Sequence, residues 1–333
     1  MGSVMKERII EGLKGRAVPI SVRQERCLRE RFYEYKCTAC ASACPVDAIT
    51  LEGGIRIDYG LCSECMLCVS SCPSDGLLIK DFNILRIASE LRKAQHPVIG
   101  CAKDVSLGHV KTYCLGLLSE EDMLALYSLT TEPLQINLTG CSKCKNSHII
   151  PILEKRLHAL AQRLSIPVTE RVIMVKDLQG LRYKPIGLDR RGFFNAVKKE
   201  ALTGVAELLL ENKESEIPMS EKVLPSKRRL LNKICGILSE TLKKRLIENY
   251  YFDLSIKDGC LPCGACAGVC PTGALKVEQD DLSNTLLFNS SLCIGCNLCR
   301  DICDEHLISI NRYISDTSPF DFIEKVAYRI EGM

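Results

Sequence analysis

Apolar and polar residues follow two different periods in the middle of the chain. A helix-start pattern followed by helix-forming residues predicts a helix at residues 119–129. Apolar residues at helical spacing predict a second helix at residues 149–164. Short apolar or alternating runs predict three strands, at residues 98–99, 134–138 and 171–175. Ser119 and Asp122 form the Ser-x-x-Asp pattern of a capped helix start. The order strand–helix–strand–helix–strand predicts a small α/β domain over residues 96–186.

Two regions after this domain have other patterns. Helical patterns predict two further helices, at residues 189–210 and 226–247. Together they form a predicted helical connector over residues 187–252, and its basic groups at residues 227–229 and 243–245 are predicted to be solvated helix faces. Short apolar runs predict strands nearer the C-terminus, at residues 274–277, 286–288 and 307–310.

The composition is that of a folded protein with little net charge. Of the 333 residues, 46% are hydrophobic and 26% are charged. The formal net charge of +3 does not call for a nucleic-acid or membrane-surface partner. No apolar run reaches the roughly 18 residues of a membrane-spanning helix, and residues 1–20 lack the apolar core of a signal peptide. We therefore expect a cytoplasmic protein with no integral membrane segment and no nucleic-acid partner.

The cysteines are the most informative residues in the chain. There are 21 of them, and all but Cys235 fall into three groups, at residues 27–72, 101–144 and 260–303. In a reducing cytoplasm such a density does not indicate disulfides, whereas grouping at fixed spacings indicates metal ligation. Cys235 stands beside apolar residues and is predicted to be a small buried side chain. The sequence contains no dinucleotide-binding glycine motif, phosphate loop or haem-attachment motif.

The first and last groups repeat the spacing C-x2-C-x2-C-x3-C. Three runs are complete: Cys62, Cys65, Cys68 and Cys72; Cys260, Cys263, Cys266 and Cys270; Cys293, Cys296, Cys299 and Cys303. A fourth run has Cys37, Cys40 and Cys44, but Glu34 occupies its first position. Zinc sites usually combine two C-x2-C pairs across a longer loop, so these triplets favour iron–sulfur clusters over structural zinc.

These runs resemble those of the bacterial two-cluster ferredoxins, in which three cysteines of one run hold one [4Fe-4S] cluster and the fourth holds the other. The resemblance implies an α+β protein in which two ferredoxin-like dicluster modules, at residues 1–95 and 253–333, flank the small α/β domain. It implies four [4Fe-4S] clusters in all. Three implied ligand sets are complete: site 2 with Cys62, Cys65, Cys68 and Cys44; site 3 with Cys260, Cys263, Cys266 and Cys303; site 4 with Cys293, Cys296, Cys299 and Cys270.

The remaining set, site 1, has Cys37, Cys40 and Cys72 and needs a fourth ligand. Cys27 is the preferred candidate, because a thiolate is a softer ligand for the cluster than a carboxylate. Glu34 is one alternative. The other is an empty corner, which would give a three-iron or site-differentiated cluster.

The middle group forms a further candidate, the middle site, with Cys101, Cys114, Cys141 and Cys144. The strand ending in cysteine, the C-x12-C spacing and the Thr-Gly-Cys sequence resemble the thioredoxin-like [2Fe-2S] ferredoxins. The Cys114-Leu-Gly and Gly140-Cys141 sequences, followed by the helix predicted from Ile149, also resemble the iron–sulfur delta subunit of methyl-viologen-reducing hydrogenases. The resemblance implies a [2Fe-2S] centre, while a [4Fe-4S] centre, zinc or free thiols would also suit four cysteines. His148 could replace one ligand, although a hydrogen-bonding residue at a helix start is the preferred interpretation.

Four clusters and a middle centre predict a polyferredoxin: a multi-cluster electron-transfer protein that is the wiring subunit of a larger anaerobic oxidoreductase. In this interpretation the chain is not itself catalytic, and a partner subunit holds the catalytic cofactor. One alternative is an iron–sulfur enzyme that binds substrate at an open cluster corner in site 1. The other is a redox-sensing regulatory protein.

Overall fold

A computed structural model of the protein describes residues 19–103, 107–186, 222–280, 283–313 and 318–329. The helix predicted at residues 189–210 lies outside these ranges. So does more than half of the predicted connector.

The N-terminal part consists of short elements arranged around its two cysteine runs. In chain order they are β1 (Ile20–Val22), α1 (Ala39–Ser42), β2 (Ile49–Thr50), β3 (Arg56–Ile57), α2 (Leu67–Ser71), β4 (Leu77–Ile79) and α3 (Ile84–Leu91). Strand β1 pairs with β4 and strand β2 with β3, both antiparallel. Helix α1 contains Cys40 and helix α2 contains Cys68, so each run includes a short helix.

The middle part contains a parallel four-stranded sheet. Its elements are β5 (Val98–Cys101), β6 (Val110–Thr112), α4 (Glu120–Leu129), β7 (Leu134–Asn137), α5 (Ile149–Leu164), α6 (Val168–Arg171) and β8 (Val172–Val175). The strand order is β6-β5-β7-β8, with every neighbouring pair parallel. The predicted strands and helices are confirmed, and β6 and α6 are additions. Ser119 and Asp122 form the predicted reciprocal capping box at the start of α4.

Two helices follow where the sequence predicts one stretch over residues 226–247. Helix α7 spans Ser226–Cys235 and helix α8 spans Glu240–Tyr250. The single-stretch prediction is wrong: α7 ends at Gly236, whose backbone entropy disfavours continuing a helix, and α8 begins after Ser239.

The basic group at the start of α7 also departs from its prediction. Arg228 is only 6% exposed, so this part of the helix is not a solvated face. Apolar residues of α7 and α8, among them Leu231 and Leu246, lie in the same hydrophobic core as the N-terminal and middle parts. The two helices are therefore part of the body of the protein.

The C-terminal part repeats the plan of the N-terminal part. Its elements are β9 (Phe252–Ile256), α9 (Ala265–Val269), β10 (Leu275–Gln279), β11 (Ser283–Phe288), α10 (Leu298–Asp301), β12 (Ile308–Arg312) and β13 (Ile323–Arg329). Strand β9 pairs with β12 as β1 pairs with β4, and β10 pairs with β11 as β2 pairs with β3. Strand β13 extends the β10–β11 hairpin. This part has its own hydrophobic core.

Short 3₁₀ turns connect several of these elements, at Gln24–Arg26, Leu28–Glu30, Leu115–Leu117, Cys141–Lys143, Leu178–Gly180 and Ser290–Leu292. No helix among the residues described above is long and apolar enough to cross a membrane.

Candidate metal centres

The thiols of site 4 surround one cavity in the C-terminal part. Its lining includes the complete predicted set: Cys270, Cys293, Cys296 and Cys299. Burial raises the pKa of Cys293 to about 11 and that of Cys296 to about 12. Thiols with such pKa values are protonated at neutral pH unless a bound metal replaces the proton, so the cavity suits a metal-bound group.

The thiols of site 3 also lie near one another. Burial raises the pKa of Cys260, and the charges of Cys303 and Cys263 raise it further. Burial likewise raises the pKa of Cys266 to about 11, with added contributions from Cys260 and Cys263. Cys263 is exposed, so this site reaches the protein surface.

Site 2 in the N-terminal part has the same construction as site 4. One cavity is lined by all four thiols of the predicted set: Cys44, Cys62, Cys65 and Cys68. Burial, together with the charges of Cys65 and Cys62, raises the pKa of Cys68 to about 12. The donor set and its enclosure fit an iron–sulfur cluster.

In site 1 the structure separates the two candidates for the fourth ligand. Cys27 is 7% exposed, and its pKa is raised by burial and then by the charges of Cys37 and Cys72. Cys40 is raised to a pKa of about 11 by burial and by Cys72, Cys37 and Cys27. Glu34 is exposed, and its carboxylate interacts with the hydroxyl of Tyr33. Cys27 therefore lies with the other thiols of site 1, and Glu34 faces solvent.

The four cysteine runs share an unusual backbone conformation. The residue three positions after the last cysteine of each run has a positive φ, at Asp47 (48°), Asp75 (59°), Gly273 (73°) and His306 (51°). A positive φ also occurs at the residue after the second cysteine of each complete run: Met66 (66°), Gly264 (83°) and Asn297 (65°). Left-handed conformation costs roughly 1–2 kcal/mol in a non-glycine residue. Its recurrence at equivalent positions shows that the N-terminal and C-terminal runs follow the same path.

Backbone N–H groups donate to cysteine sulfurs in all three parts of the protein. Ala48 donates to Cys44 at 3.3 Å from four residues further on, and in four other cases the donor lies two residues after the cysteine. The distances are 3.4 Å to Cys62, 3.4 Å to Cys101, 3.5 Å to Cys144 and 3.4 Å to Cys293. Such bonds stabilise a thiolate, and hydrogen bonds to sulfur are one of the factors that set a cluster's reduction potential.

The middle site lies at one edge of the parallel sheet. Cys101 ends β5, and Cys141 and Cys144 follow β7, the strand beside it. Because neighbouring parallel strands end at the same edge, these cysteines lie on the same side of the sheet. Cys114 is 3% exposed, and its pKa is raised by a hydrogen bond with Cys101 and by burial. Cys144 is exposed, so the middle site also reaches the surface.

The middle site lies directly against site 2. The side-chain amide nitrogen of Asn146 donates a hydrogen bond to the carbonyl oxygen of Ser63 at 3.1 Å. The same nitrogen lies 4.0 Å from the sulfur of Cys114. Lys103, two residues after Cys101, forms an ion pair with Glu64 inside the run of site 2. These contacts join the two sites through a single layer of residues.

A glycine allows the closest approach between these two parts. A Cβ added at Gly116 would lie 2.3 Å from the carbonyl oxygen of Cys65, so only glycine fits here without a shift. Ser70 of α2 donates to the carbonyl of Gly116 at 2.8 Å. The turn after Cys114 is therefore packed directly on the backbone of a site 2 cysteine.

Site 1 lies against site 4 in the same way. Tyr35, two residues before Cys37, donates its hydroxyl to the carbonyl of Cys296 at 2.6 Å. Leu28, next to Cys27, packs against Val269 and Leu298 of the C-terminal part in a small apolar cluster. Cys40 of site 1 contributes to the raised pKa of Cys68 in site 2, and Cys266 of site 3 contributes to that of Cys299 in site 4. The predicted ligand sets therefore form one series: middle site, site 2, site 1, site 4 and site 3.

Several residues at these junctions have no signal in the sequence. Tyr35 and Asn146 are single polar residues without a motif, and Lys227 was predicted to face solvent. Lys227 instead donates to the carbonyl of Cys72 at 2.9 Å. The side chain of His148 does not cap α5, and its Nε2 is buried without a hydrogen-bond partner. The prediction that His148 is a hydrogen-bonding residue at the helix start is therefore wrong.

Within the ranges that the structure covers, no three His, Cys, Asp or Glu side chains converge as ligands of a single metal ion. The ligands of a single zinc ion converge on one point, whereas the four thiolates of a [4Fe-4S] cluster bind separate irons.

Residues 253–304 match a family model described as a 4Fe-4S dicluster domain. All eight cysteines of sites 3 and 4 lie within the matched residues. The chain matches no curated protein and no solved structure. The C-terminal part is thus a ferredoxin-like dicluster region that supports two [4Fe-4S] clusters. This domain and the many cysteines indicate an iron–sulfur electron-transfer protein. The match does not extend to the N-terminal and middle parts.

Proposed function

We propose that this protein is a polyferredoxin with five iron–sulfur centres, one at each of sites 1 to 4 and one at the middle site. The observation that carries the proposal is the continuous series of ligand sets, in which each set interacts with the next through residue contacts or through the charges of its thiols. Iron–sulfur clusters accept and release single electrons, and closely spaced clusters form a path for them. The protein residues hold the centres in order and shield them from water.

The N-terminal module is supported by its likeness to the matched C-terminal region. Both parts have the same strand pairing, and their cysteine runs share positive-φ positions. The cavity of site 2 is lined by four thiols, as is the cavity of site 4. We infer that sites 1 and 2 hold [4Fe-4S] clusters, with Cys27 as the fourth ligand of site 1. The middle site holds a [2Fe-2S] or [4Fe-4S] centre.

The two ends of the series are suited to exchange electrons with partners. Cys144 of the middle site and Cys263 of site 3 are exposed, whereas the thiols that face the inner junctions are mostly buried. Electron transfer between proteins requires close approach, so the exposed ends favour two docking points. We propose that one partner is the catalytic subunit of an anaerobic oxidoreductase.

The burial of Cys27 also bears on the rival enzyme hypothesis. With Cys27 as its fourth ligand, site 1 would have no open corner for a substrate, and the burial of Cys27 beside Cys37 and Cys72 supports this assignment. This arrangement favours an electron-transfer role over catalysis at site 1.

The deciding experiment is the content of iron, sulfide and zinc in anaerobically purified protein, together with EPR at graded reduction. We expect about 18 to 20 irons per chain, because four [4Fe-4S] clusters contribute about 16 and the middle site about two or four. About 8 irons would confine the clusters to the C-terminal region. Zinc in place of iron at most sites would contradict the proposal.

A further inference from the structure

A cavity of about 300 Å³ lies where the N-terminal, middle and C-terminal parts meet helices α7 and α8. Its walls include Ser70 and Pro73 beside Cys72, and Ile294 beside Cys293. Among the described residues, cationic side chains from α5, α7 and β12 line it: Arg156, Arg163, Lys227, Arg228 and Arg312. The acidic side chains of the described lining are Glu120 and Glu121. The cavity is lined by none of the predicted ligands and is separate from the metal centres.

The acidic residues do not balance these cations. Glu120 already forms an ion pair with Arg163 and accepts a hydrogen bond from the hydroxyl of Tyr250. Burial raises the pKa of Glu120, which lowers its tendency to carry a negative charge. The cavity therefore has an excess of positive charge in partly buried surroundings, where uncompensated charge is costly.

Arg228 is the most deeply placed of the cations. It is 6% exposed, and its Nη2 donates to the carbonyl of Tyr250 at 2.9 Å. Its guanidinium carbon lies 4.9 Å from the ring centroid of Tyr251. Its Nη1 is buried and has no hydrogen-bond partner. A buried charged donor without an acceptor is destabilising, so a ligand that supplies an acceptor would bind favourably.

Other cations are held in position by backbone acceptors. Arg156 donates to the carbonyl of Leu118 at 2.7 Å and to the hydroxyl of Ser70 at 2.9 Å. Arg312 donates to the carbonyl of Asn249 at 2.5 Å. Because these side chains are already ordered, a ligand would not have to order them on binding. Guanidinium groups bind carboxylates and phosphates through paired hydrogen bonds.

We infer that this cavity binds a small oxyanion of the phosphate or carboxylate class. The bound oxyanion accepts hydrogen bonds from Arg228 and neighbouring cations and neutralises their excess charge. Because the walls come from every part of the protein, the ligand also ties these parts together. This inference does not depend on the proposed electron-transfer function.

The test is isothermal titration calorimetry on the anaerobically purified full-length protein. Inorganic phosphate and succinate are the two probes, and sodium chloride at matched ionic strength is the blank. Saturable binding of either probe is expected, and comparing the two separates the phosphate source from the carboxylate source. Arg228→Gln and Arg312→Gln should each weaken binding about tenfold or more, since each removes a charge-assisted hydrogen bond.

Lys244→Gln is the matched control. Lys244 lies on α8 with a side chain that is 79% exposed, and it does not line the cavity. The Lys244→Gln substitution removes one positive charge, as the two arginine substitutions do, and the affinity for phosphate or succinate should be unchanged. Arg312 is exposed, so Arg312→Gln remains informative even when Arg228→Gln does not fold. The inference is overturned when neither probe binds saturably, or when Arg312→Gln binds as tightly as Lys244→Gln.

Discussion

At the scale of single residues, neighbouring thiols and burial together indicate which side chains could hold a cluster. Cys27 and Glu34 both lie close to the incomplete run in sequence, but only Cys27 lies among the other thiols of site 1. Cys235 is also fully buried, yet it interacts with the hydroxyl of Tyr251 and stands apart from every run. Burial therefore has to be combined with neighbouring thiols before a cysteine is assigned to a site.

Cys27→Ser should convert site 1 into a three-iron site, because a serine hydroxyl is a harder and weaker ligand for iron than a thiolate. We expect a loss of about one iron per chain and a new EPR signal of a [3Fe-4S] cluster in the oxidised protein.

The controls for this substitution are Glu34→Gln and Cys235→Ala, which should keep the iron content and EPR spectrum of the unmodified protein. An altered cluster signal in Glu34→Gln with none in Cys27→Ser would assign the fourth ligand to the carboxylate instead.

At the scale of elements, short turns bring the sites together. The turn at Leu115–Leu117 packs on the run of site 2 because Gly116 has no side chain. The run itself bends through positive-φ residues at Glu64 (57°) and Met66 (66°). Close contact between the middle and N-terminal parts thus depends on backbone conformation as much as on apolar packing.

Gly116→Ala should destabilise this contact by about 1–3 kcal/mol, as overpacking in a tight interior does. The measurement is the temperature at which half of the cluster absorbance is lost on anaerobic heating, and it should fall in this variant.

The matched control is Gly268→Ala. A Cβ at Gly268 meets nothing within 4 Å, and alanine is the better helix former in α9 by roughly 0.5–1 kcal/mol. This variant should be unchanged or slightly more stable. If the two glycine variants lose half of their cluster absorbance at the same temperature, Gly116 is not at a tightly packed contact.

At the scale of the whole molecule, the described residues form two main hydrophobic cores. One joins the N-terminal and middle parts with α7 and α8, and the other belongs to the C-terminal part. These cores are separate, although hydrogen bonds such as those from Tyr35 to Cys296 and from Asn232 to Ser291 cross between the two regions. We therefore expect the C-terminal region to open as a separate cooperative unit.

Leu286→Ala should destabilise the C-terminal core, and Leu124→Ala should destabilise the core of the N-terminal and middle parts. Both side chains are fully buried, and such truncations lower the free energy of unfolding by about 2–5 kcal/mol. Hydrogen exchange followed by mass spectrometry should show faster exchange for Leu286→Ala mainly within residues 253–313. Leu124→Ala should show faster hydrogen exchange mainly within residues 98–175. Equal acceleration across the whole chain in both variants would contradict two separate cores.

The sequence by itself determined the local features of this protein. Cysteine spacing predicts the runs, because ligands within one run are set by a few neighbouring residues. The parallel-sheet strands and the capped helix at Ser119 follow from apolar periodicity and local hydrogen bonding. The C-terminal dicluster region was predicted from the same runs that the family match covers.

Only the tertiary structure decided what depends on distant residues. The inward position of Arg228 results from its contacts with Tyr250 and Tyr251, more than twenty residues away in sequence. The order of the sites results from contacts such as those of Tyr35 and Asn146, which carry no motif. Periodicity indicates which face of an element is buried, but it does not indicate which other element packs against that face. The path between the sites and the cationic cavity could therefore be found only in the folded structure.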